Sequence, residues 1–290
     1  WSLCASLDGH YLLCGQAMNR ISVLIQSYNE ETNIRHALES CAWADEIFVV
    51  DNFSSDATPD IVKSFSNTHL VQRQFDGYAK QKNWALDTLP FTGEWIFILD
   101  ADECITPELR DELVRVTSDS LSPECWYVNR RFYFLGRWIR HAGWYPSWSL
   151  RFFKKSAARY EDRGVDEHMI PSGSVGYIAK DLIHEDHKGL EAWIKKHNRY
   201  SSLEATERIR PTETLDGSLF SRNPVEQKRA LKNIFYRLPG RPFLRFFIMY
   251  VIQRGFLDGY PGFVFCILRG IQEFHISIKL KELNEREMKK

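Results

Sequence analysis

Glu94-Trp95-Ile96-Phe97-Ile98-Leu99-Asp100-Ala101-Asp102-Glu103 is an apolar run that ends abruptly in two carboxylates spaced i, i+2. Consecutive large apolar residues predict a buried strand. In extended backbone the i, i+2 spacing puts Asp100 and Asp102 on one face. Two carboxylates side by side repel each other and are costly to desolvate unless a cation sits between them. The pair therefore predicts a divalent-metal site for Mg²⁺ or Mn²⁺, with phosphates completing the oxygen shell. For the pair taken alone, a solvated acidic strand end is the alternative.

Outward from this strand, residues 20–112 alternate strand and helix. Strands are expected at Ile21–Ile25, Glu46–Asp51 and near His69–Val71. Helices are expected at about Glu31–Cys41, from Thr58-Pro59, at Tyr78–Leu86 and after Thr106-Pro107, where proline suits a first turn. Such alternation predicts a parallel, doubly wound sheet with its ligands at the carboxyl ends of the strands. After Trp126 the texture changes: strands at Val128–Phe134 and Ser149–Phe153, then a long helix from Gly189 to about Ile209.

The 290 residues carry 38 basic and 38 acidic side chains. A formal charge of zero gives no global field, so no nucleic-acid partner is expected. The six cysteines lack CxxC spacing, which points neither to a zinc framework nor to a disulfide scaffold, and a reduced cytoplasmic setting follows. Residues 1–19 are expected to be a non-native or disordered leader, with Met18 as the native start. The apolar patch Tyr11–Cys14 is too short for a membrane span.

The tail, residues 223–290, is expected to be a helical, basic amphipathic region. Just before it and along it, Arg222, Lys228, Arg229, Lys232, Arg237, Arg241, Arg245 and Arg254 meet Glu226 as counter-charge, interleaved with aromatic runs around Phe243–Val251 and Phe263–Leu268. Neither run reaches the roughly 20 residues of a span. The pattern suits an anionic membrane surface, and a helical subdomain packed on the core is the alternative.

Four polar motifs fall at or just beyond strand ends: Gln26-Ser27-Tyr28-Asn29-Glu30-Glu31, Asp51-Asn52-Phe53-Ser54-Ser55-Asp56, Asp76-Gly77-Tyr78-Ala79-Lys80-Gln81-Lys82-Asn83, and the Asp100/Asp102 pair. In this order and spacing the chain, over about Arg20 to Gly270, resembles a family 2 glycosyltransferase with the GT-A nucleotide-diphosphosugar fold. Within that family it looks most similar to bacterial glucosyltransferase-like enzymes of lipopolysaccharide-core and exopolysaccharide assembly.

The resemblance implies a Rossmann-like mixed sheet followed by C-terminal amphipathic helices. The catalytic domain would span 20–222, with a nucleotide half at 20–112 and an acceptor half at 113–222. It implies inverting transfer of a hexose from a nucleotide diphosphosugar, a UDP-sugar, to a lipid-linked or lipopolysaccharide-core glycan. The reaction would depend on Mn²⁺ or Mg²⁺ and take place at the inner face of the plasma membrane. Ser27, Tyr28, Asn29 and Glu30 would surround the uracil and ribose, and Asp51 would accept from base or ribose. Ser54 and Asp56 would shape that loop.

Gly77, Lys80, Gln81 and Asn83 would lie at a helix start that favours diphosphate. A solvated helix face is the alternative for Lys80 and Lys82. Asp102 would hold the metal, His184 would complete its shell, and Asp100 with Ala101 would contact ribose or a metal-bound water. Glu103 is expected to be structural or to support these ligands from behind. For the base that deprotonates the acceptor hydroxyl, Glu167 matches best, and Asp166 stays open beside it.

Trp144 and Tyr145, with Trp148, form a sugar-stacking platform or simply core, and Arg151 faces a phosphate or the catalytic loop. The helix Trp193–Tyr200 resembles the family in a structural role. A sugar-nucleotidyltransferase is the enzymatic alternative, though such proteins cradle triphosphate in a glycine-rich loop, and Gln26–Glu30 has no glycine. A non-catalytic nucleotide-sugar-binding membrane module is the third reading.

Overall fold

The computed structural model describes residues 20–161, 168–209 and 240–287. The elements run β1 (Ile21–Ser27), α1 (Ile34–Cys41), β2 (Glu46–Asp51), α2 (Thr58–Lys63), β3 (Thr68–Gln72), α3 (Tyr78–Thr88), β4 (Trp95–Asp100), β5 (Glu103–Ile105) and α4 (Pro107–Thr117). They continue as β6 (Cys125–Phe134), β7 (Arg137–Trp138), β8 (Trp148–Lys154), β9 (Ala158–Tyr160), β10 (Met169–Pro171), β11 (Val175–Glu185) and α5 (Gly189–Ile209). Helix α6 (Arg241–Phe247) leads through a π turn (Ile248–Ile252) and a 3-10 turn (Gly255–Asp258) into α7 (Gly259–Glu287).

The main sheet has the order β3-β2-β1-β4-β8-β6-β11-β5, with β7 on β6. Its first four strands are parallel. Strand β8 then runs antiparallel to both β4 and β6, and β11 is parallel to β6 but antiparallel to β5. The parallel sheet expected from strand–helix alternation therefore covers the first half only. The mixed sheet implied by the GT-A resemblance is what forms. After β6 the helical crossovers give way to direct strand returns, which allow antiparallel neighbours.

Strands β1, β2 and β4 are apolar along nearly their whole length because helices cover both faces of the sheet. Val23, Ile25, Val49, Phe97 and Leu99 face one core with α1 and α4, and Leu24, Phe48, Val50, Ile96 and Ile98 face another with α3. A third cluster joins Phe134 and Ile139 to Trp193 of α5 and to Met249, Phe265 and Cys266 of the C-terminal helices. The tail helices therefore pack on the second half of the sheet, with Phe265 among the largest fully buried side chains. A Cβ at Gly262 would strike the Gly255 carbonyl, which lets the 3-10 turn lie against the start of α7.

Candidate active site

Register places the polar strand ends side by side. Ser27 pairs with Asp51, and Gln26 pairs with Asp100. The carboxyl ends of β1, β2 and β4 thus form one rim, where ligands bind in open α/β sheets.

The loops after β1 and β2 brace each other. The Asn29 backbone N–H donates to Ser54 Oγ at 2.8 Å, and the Ser55 N–H donates to Asn29 Oδ1 at 2.9 Å. The Glu30 N–H donates to Thr58 Oγ1 at 2.8 Å, and the Glu31 N–H to Asp56 Oδ2 at 3.1 Å. Asn29 holds φ at 52°, a left-handed turn that asparagine tolerates. Tyr28 is left 54% exposed at the rim, an aromatic face open to a base.

Asp51 is fully buried. Its Oδ1 accepts from Ser27 Oγ at 3.0 Å and Ser54 Oγ at 2.5 Å, and its Oδ2 from the Ser54 N–H at 2.8 Å and Gln72 Nε2 at 3.5 Å. A carboxylate has about four lone-pair sites, so these donors use them up. Asp51 and Ser27, expected at the nucleotide, are instead turned inward and organise the loop that carries Tyr28, Asn29 and Ser54.

Helix α3 starts at Gly77, whose φ of 127° is closed to side chains. Lys80 is exposed, as its solvated-face alternative has it, but Lys82 is buried. The Lys82 ammonium lies 3.9 Å from Asp100 Oδ1 and 4.8 Å from the Tyr160 ring centre. Gln81 is buried and donates to Asn52 Oδ1. Asn83, expected at the diphosphate, is committed elsewhere: it donates to the Tyr160 carbonyl at 2.9 Å and accepts from the Tyr160 N–H at 3.0 Å. Side-chain pairing with an extended strand locks β9 onto α3.

Under the acidic pair sits Arg151, 4% exposed. Its Nη2 donates to Asp100 Oδ2 at 2.7 Å and to Glu103 Oε1 at 3.0 Å. Arg151 was expected toward an acceptor phosphate or the catalytic loop. It is instead the buried counter-ion of these carboxylates, because β8 lies next to β4 in the sheet. Glu103 is fully buried, accepts from the Asp100 N–H at 3.0 Å and lies 3.5 Å from Arg130 Nη1, the supporting role expected of it. Burial alone would favour the neutral acid at Asp100, but Arg151 and Lys82 overcome it and hold the carboxyl well below the usual range.

Asp102 meets different partners. Strand β11 pairs with β5 at His184↔Glu103 and brings His184 Nε2 to 3.3 Å from Asp102 Oδ2. From α5, Lys196 Nζ reaches the same oxygen at 3.4 Å and Asp186 Oδ2 at 3.9 Å. Against the cost of burial, His184 and then Lys196 keep Asp102 ionised, and Asp102 in turn raises His184. Lys188 closes the rim with Nζ 2.6 Å from Glu30 Oε1, and Asn33 Nδ2 donates both to Glu30 Oε2 at 2.8 Å and to Asp186 Oδ1 at 3.0 Å. The sequence assigned α5 a structural role; that reading did not place Lys196 and Lys188 against the acids of the rim. Their signal was a lysine just before, and another within, the helix that begins five residues after His184.

Among the described residues, no three His, Cys, Asp or Glu side chains gather into a metal-holding group by themselves. The separation of Asp102 Oδ2 and His184 Nε2 nevertheless suits neighbouring ligands of one octahedral ion, which sit about 3 Å apart at metal–ligand bonds near 2.1 Å. Phosphate oxygens would have to supply the remaining ligands. Ala101 is buried and offers only its backbone.

The aromatic cluster divides. Trp144 is half-buried and packs on the third core cluster against Phe132 and Phe265, with Arg269 over its ring. Tyr145 packs edge-on to Trp138 and donates its hydroxyl to Asp181 at 3.2 Å. Trp148 is 42% exposed and packs edge-on to Tyr177. Asp166 and Glu167 lie outside the described residues. Their flanks, Glu161 and His168, are joined by a hydrogen bond of 2.9 Å where the chain leaves β9 and enters β10.

The profile of Glycosyl transferase family 2 matches residues 22–170, half of the chain. The chain belongs to this family. The matched family 2 segment holds the rim, Arg151 and the 162–167 loop, and ends before His184 and Lys196. The lipopolysaccharide core biosynthesis glycosyltransferase LpsC of Rhizobium meliloti (strain 1021) is 28% identical over 258 residues, 86% of this chain and 89% of LpsC. An uncharacterized glycosyltransferase of Rickettsia typhi (strain ATCC VR-144 / Wilmington) is 25% identical over 279 residues, 92% of this chain and 88% of the relative. Among solved structures, S. aureus TarS 1-349 in complex with UDP-GlcNAc is similar at a TM-score of 0.46 and 15% identity, over 92% of each chain.

Proposed function

We propose that this family 2 glycosyltransferase moves a hexose, with inversion, from a UDP-sugar to a lipid-linked or lipopolysaccharide-core glycan. The observation that carries the reading is the rim itself. Asp100, Asp102, Lys82, Lys196 and the α3 N-terminus converge where a diphosphate and a cation would meet. Full-length similarity to LpsC, whose name assigns it to lipopolysaccharide core biosynthesis, supports the acceptor class.

Asp102 and His184 would hold Mn²⁺ or Mg²⁺, and the chemistry such an ion supplies is neutralisation of the departing diphosphate. This chain's residues do the rest. Tyr28 and the Asn29–Ser54 loop receive the base and ribose. Buried Arg151 keeps Asp100 charged and oriented. Glu167, or Asp166 beside it, takes the proton of the attacking hydroxyl.

The C-terminal surface supports action at a membrane surface, which the proposal places on the cytoplasmic side. Phe243, Phe247, Ile252, Leu257 and Tyr260 are exposed at and between α6 and the start of α7, next to exposed Arg254. Among the described residues no helix is long and apolar enough to cross a bilayer.

The test is incubation of the purified protein with a panel of UDP-sugars, Mn²⁺ and a core-glycan acceptor. Acceptor-dependent UDP release is expected. No calorimetric affinity for uridine, guanosine or thymidine diphosphate under saturating Mn²⁺ would end the proposal.

A further inference from the structure

Helix α5 touches three segments of the donor rim at once. Lys188, just before its first turn, is 2.6 Å from Glu30 in the loop after β1. Lys196 is 3.4 Å from Asp102 at the end of β4. Tyr200, one turn further, lies beside Tyr78, the first residue of α3. Spacing i, i+4 puts Lys196 and Tyr200 on one helix face, and that face looks across the cleft at Asp102 and the α3 start. The Lys196 side chain is 41% exposed. The helix is held from behind by Trp193 in the third core cluster, so its position over the rim is set by packing.

We infer that Lys196 is a donor-contacting residue whose ammonium binds the diphosphate of the nucleotide sugar, making α5 part of the donor site; this rests on the nucleotide-sugar reading above. An ammonium has three donors, so Lys196 can keep Asp102 and hold a phosphate oxygen together. It stands at Asp102 whereas Lys82 stands at Asp100, so each acid of the pair has a lysine beside it, and a diphosphate held at the pair meets both. The site gains a fixed positive charge where negative charge develops on the leaving group.

The experiment is calorimetric titration of UDP and of uridine into the full chain and its Lys196→Ala, Lys196→Met and Lys196→Arg variants, in saturating Mn²⁺ and separately in EDTA. The arm in which the wild type binds decides. Loss of a charge-assisted contact predicts UDP affinity down about tenfold or more in Lys196→Ala, with uridine affinity within about twofold and partial recovery in Lys196→Arg. The Met variant keeps the packed stem and serves if the Ala variant is unfolded. Unchanged UDP affinity in a folded Ala or Met variant overturns the inference, as does an equal loss for UDP and uridine, which marks a structural role. A wild type that binds no UDP in either arm defeats the nucleotide-sugar reading itself, a result distinct from the other two.

Discussion

The Arg151 guanidinium donates to Asp100 at 2.7 Å from a position 4% exposed to solvent, on a strand that runs antiparallel to the one bearing the acid. A buried cation that also contacts Glu103 at 3.0 Å fixes where the Asp100 carboxylate points before any ligand arrives. Pre-set orientation of this kind is how sites avoid reorganising during reaction.

Removing that cation is expected to be costly. Arg151→Ala leaves Glu103 buried beside Asp100 with its strongest partner gone, and a loss of about 3–5 kcal/mol in unfolding free energy is expected. Urea denaturation followed by circular dichroism measures it. A loss under about 1 kcal/mol would show that the pairing is dispensable.

Asp102→Asn keeps the shape of the side chain and removes its charge. Turnover is expected to fall by at least about 10²-fold, and Mn²⁺ binding measured by electron paramagnetic resonance to weaken in parallel. Full activity in this variant would contradict a metal role for Asp102.

In the proposed mechanism Glu167 or Asp166 takes the acceptor proton. Glu167→Gln should lower turnover by roughly 10²–10⁴-fold with donor affinity nearly unchanged. If instead Asp166→Asn shows that pattern and Glu167→Gln does not, the proton is taken by Asp166.

Glu46 sets an acid limit on stability. It is 7% exposed, and burial favours its neutral form, but donors from Ser22 Oγ at 2.5 Å, the Thr92 N–H at 2.6 Å and the Gly93 N–H at 3.3 Å win and lower its pKa. A depressed folded-state pKa adds stability above the unfolded value near ~4.3, and that stability is lost as pH falls through the folded value. Glu46→Gln is therefore expected to cost about 1–3 kcal/mol at neutral pH, with the gap to wild type closing below about pH 4. Thermal melts across pH 3–7 test the sign; a gap that widens in acid would refute it.

For the C-terminal surface, the triple change Phe247→Ser, Ile252→Ser and Leu257→Ser removes exposed apolar area and leaves the buried Phe265 cluster intact. Sedimentation with anionic liposomes is expected to drop several-fold while the melting temperature holds. Equal sedimentation of both proteins would remove the membrane assignment.

Much of the rim was legible because it is local. Strands β1, β2 and β4 are apolar on both faces, so the motifs after them could be placed at strand ends without knowing the sheet. The acidic pair itself was legible for the same reason, but not that each acid meets its own protein cations, Arg151 and Lys82 at Asp100, His184 and Lys196 at Asp102. Lys82 was harder: on a helix face a lysine in water and a lysine under Asp100 have the same spacing, and only burial separates them. The partners of Asp51 were not legible because its donors come from β1, its own loop and β3.

What the amino-acid order determined by itself is therefore the alternation of buried strands with helices, the acidic pair and the polar loops beside it, all encoded within a few residues of one another. The tertiary structure alone decided which charges face that pair. Arg151 reaches Asp100 through an antiparallel strand pairing, and Lys196 reaches Asp102 through a helix that follows the last strand of the sheet. Such partners are set by sheet order and helix packing, and no local periodicity reports which distant side chain will arrive where a charge must be balanced.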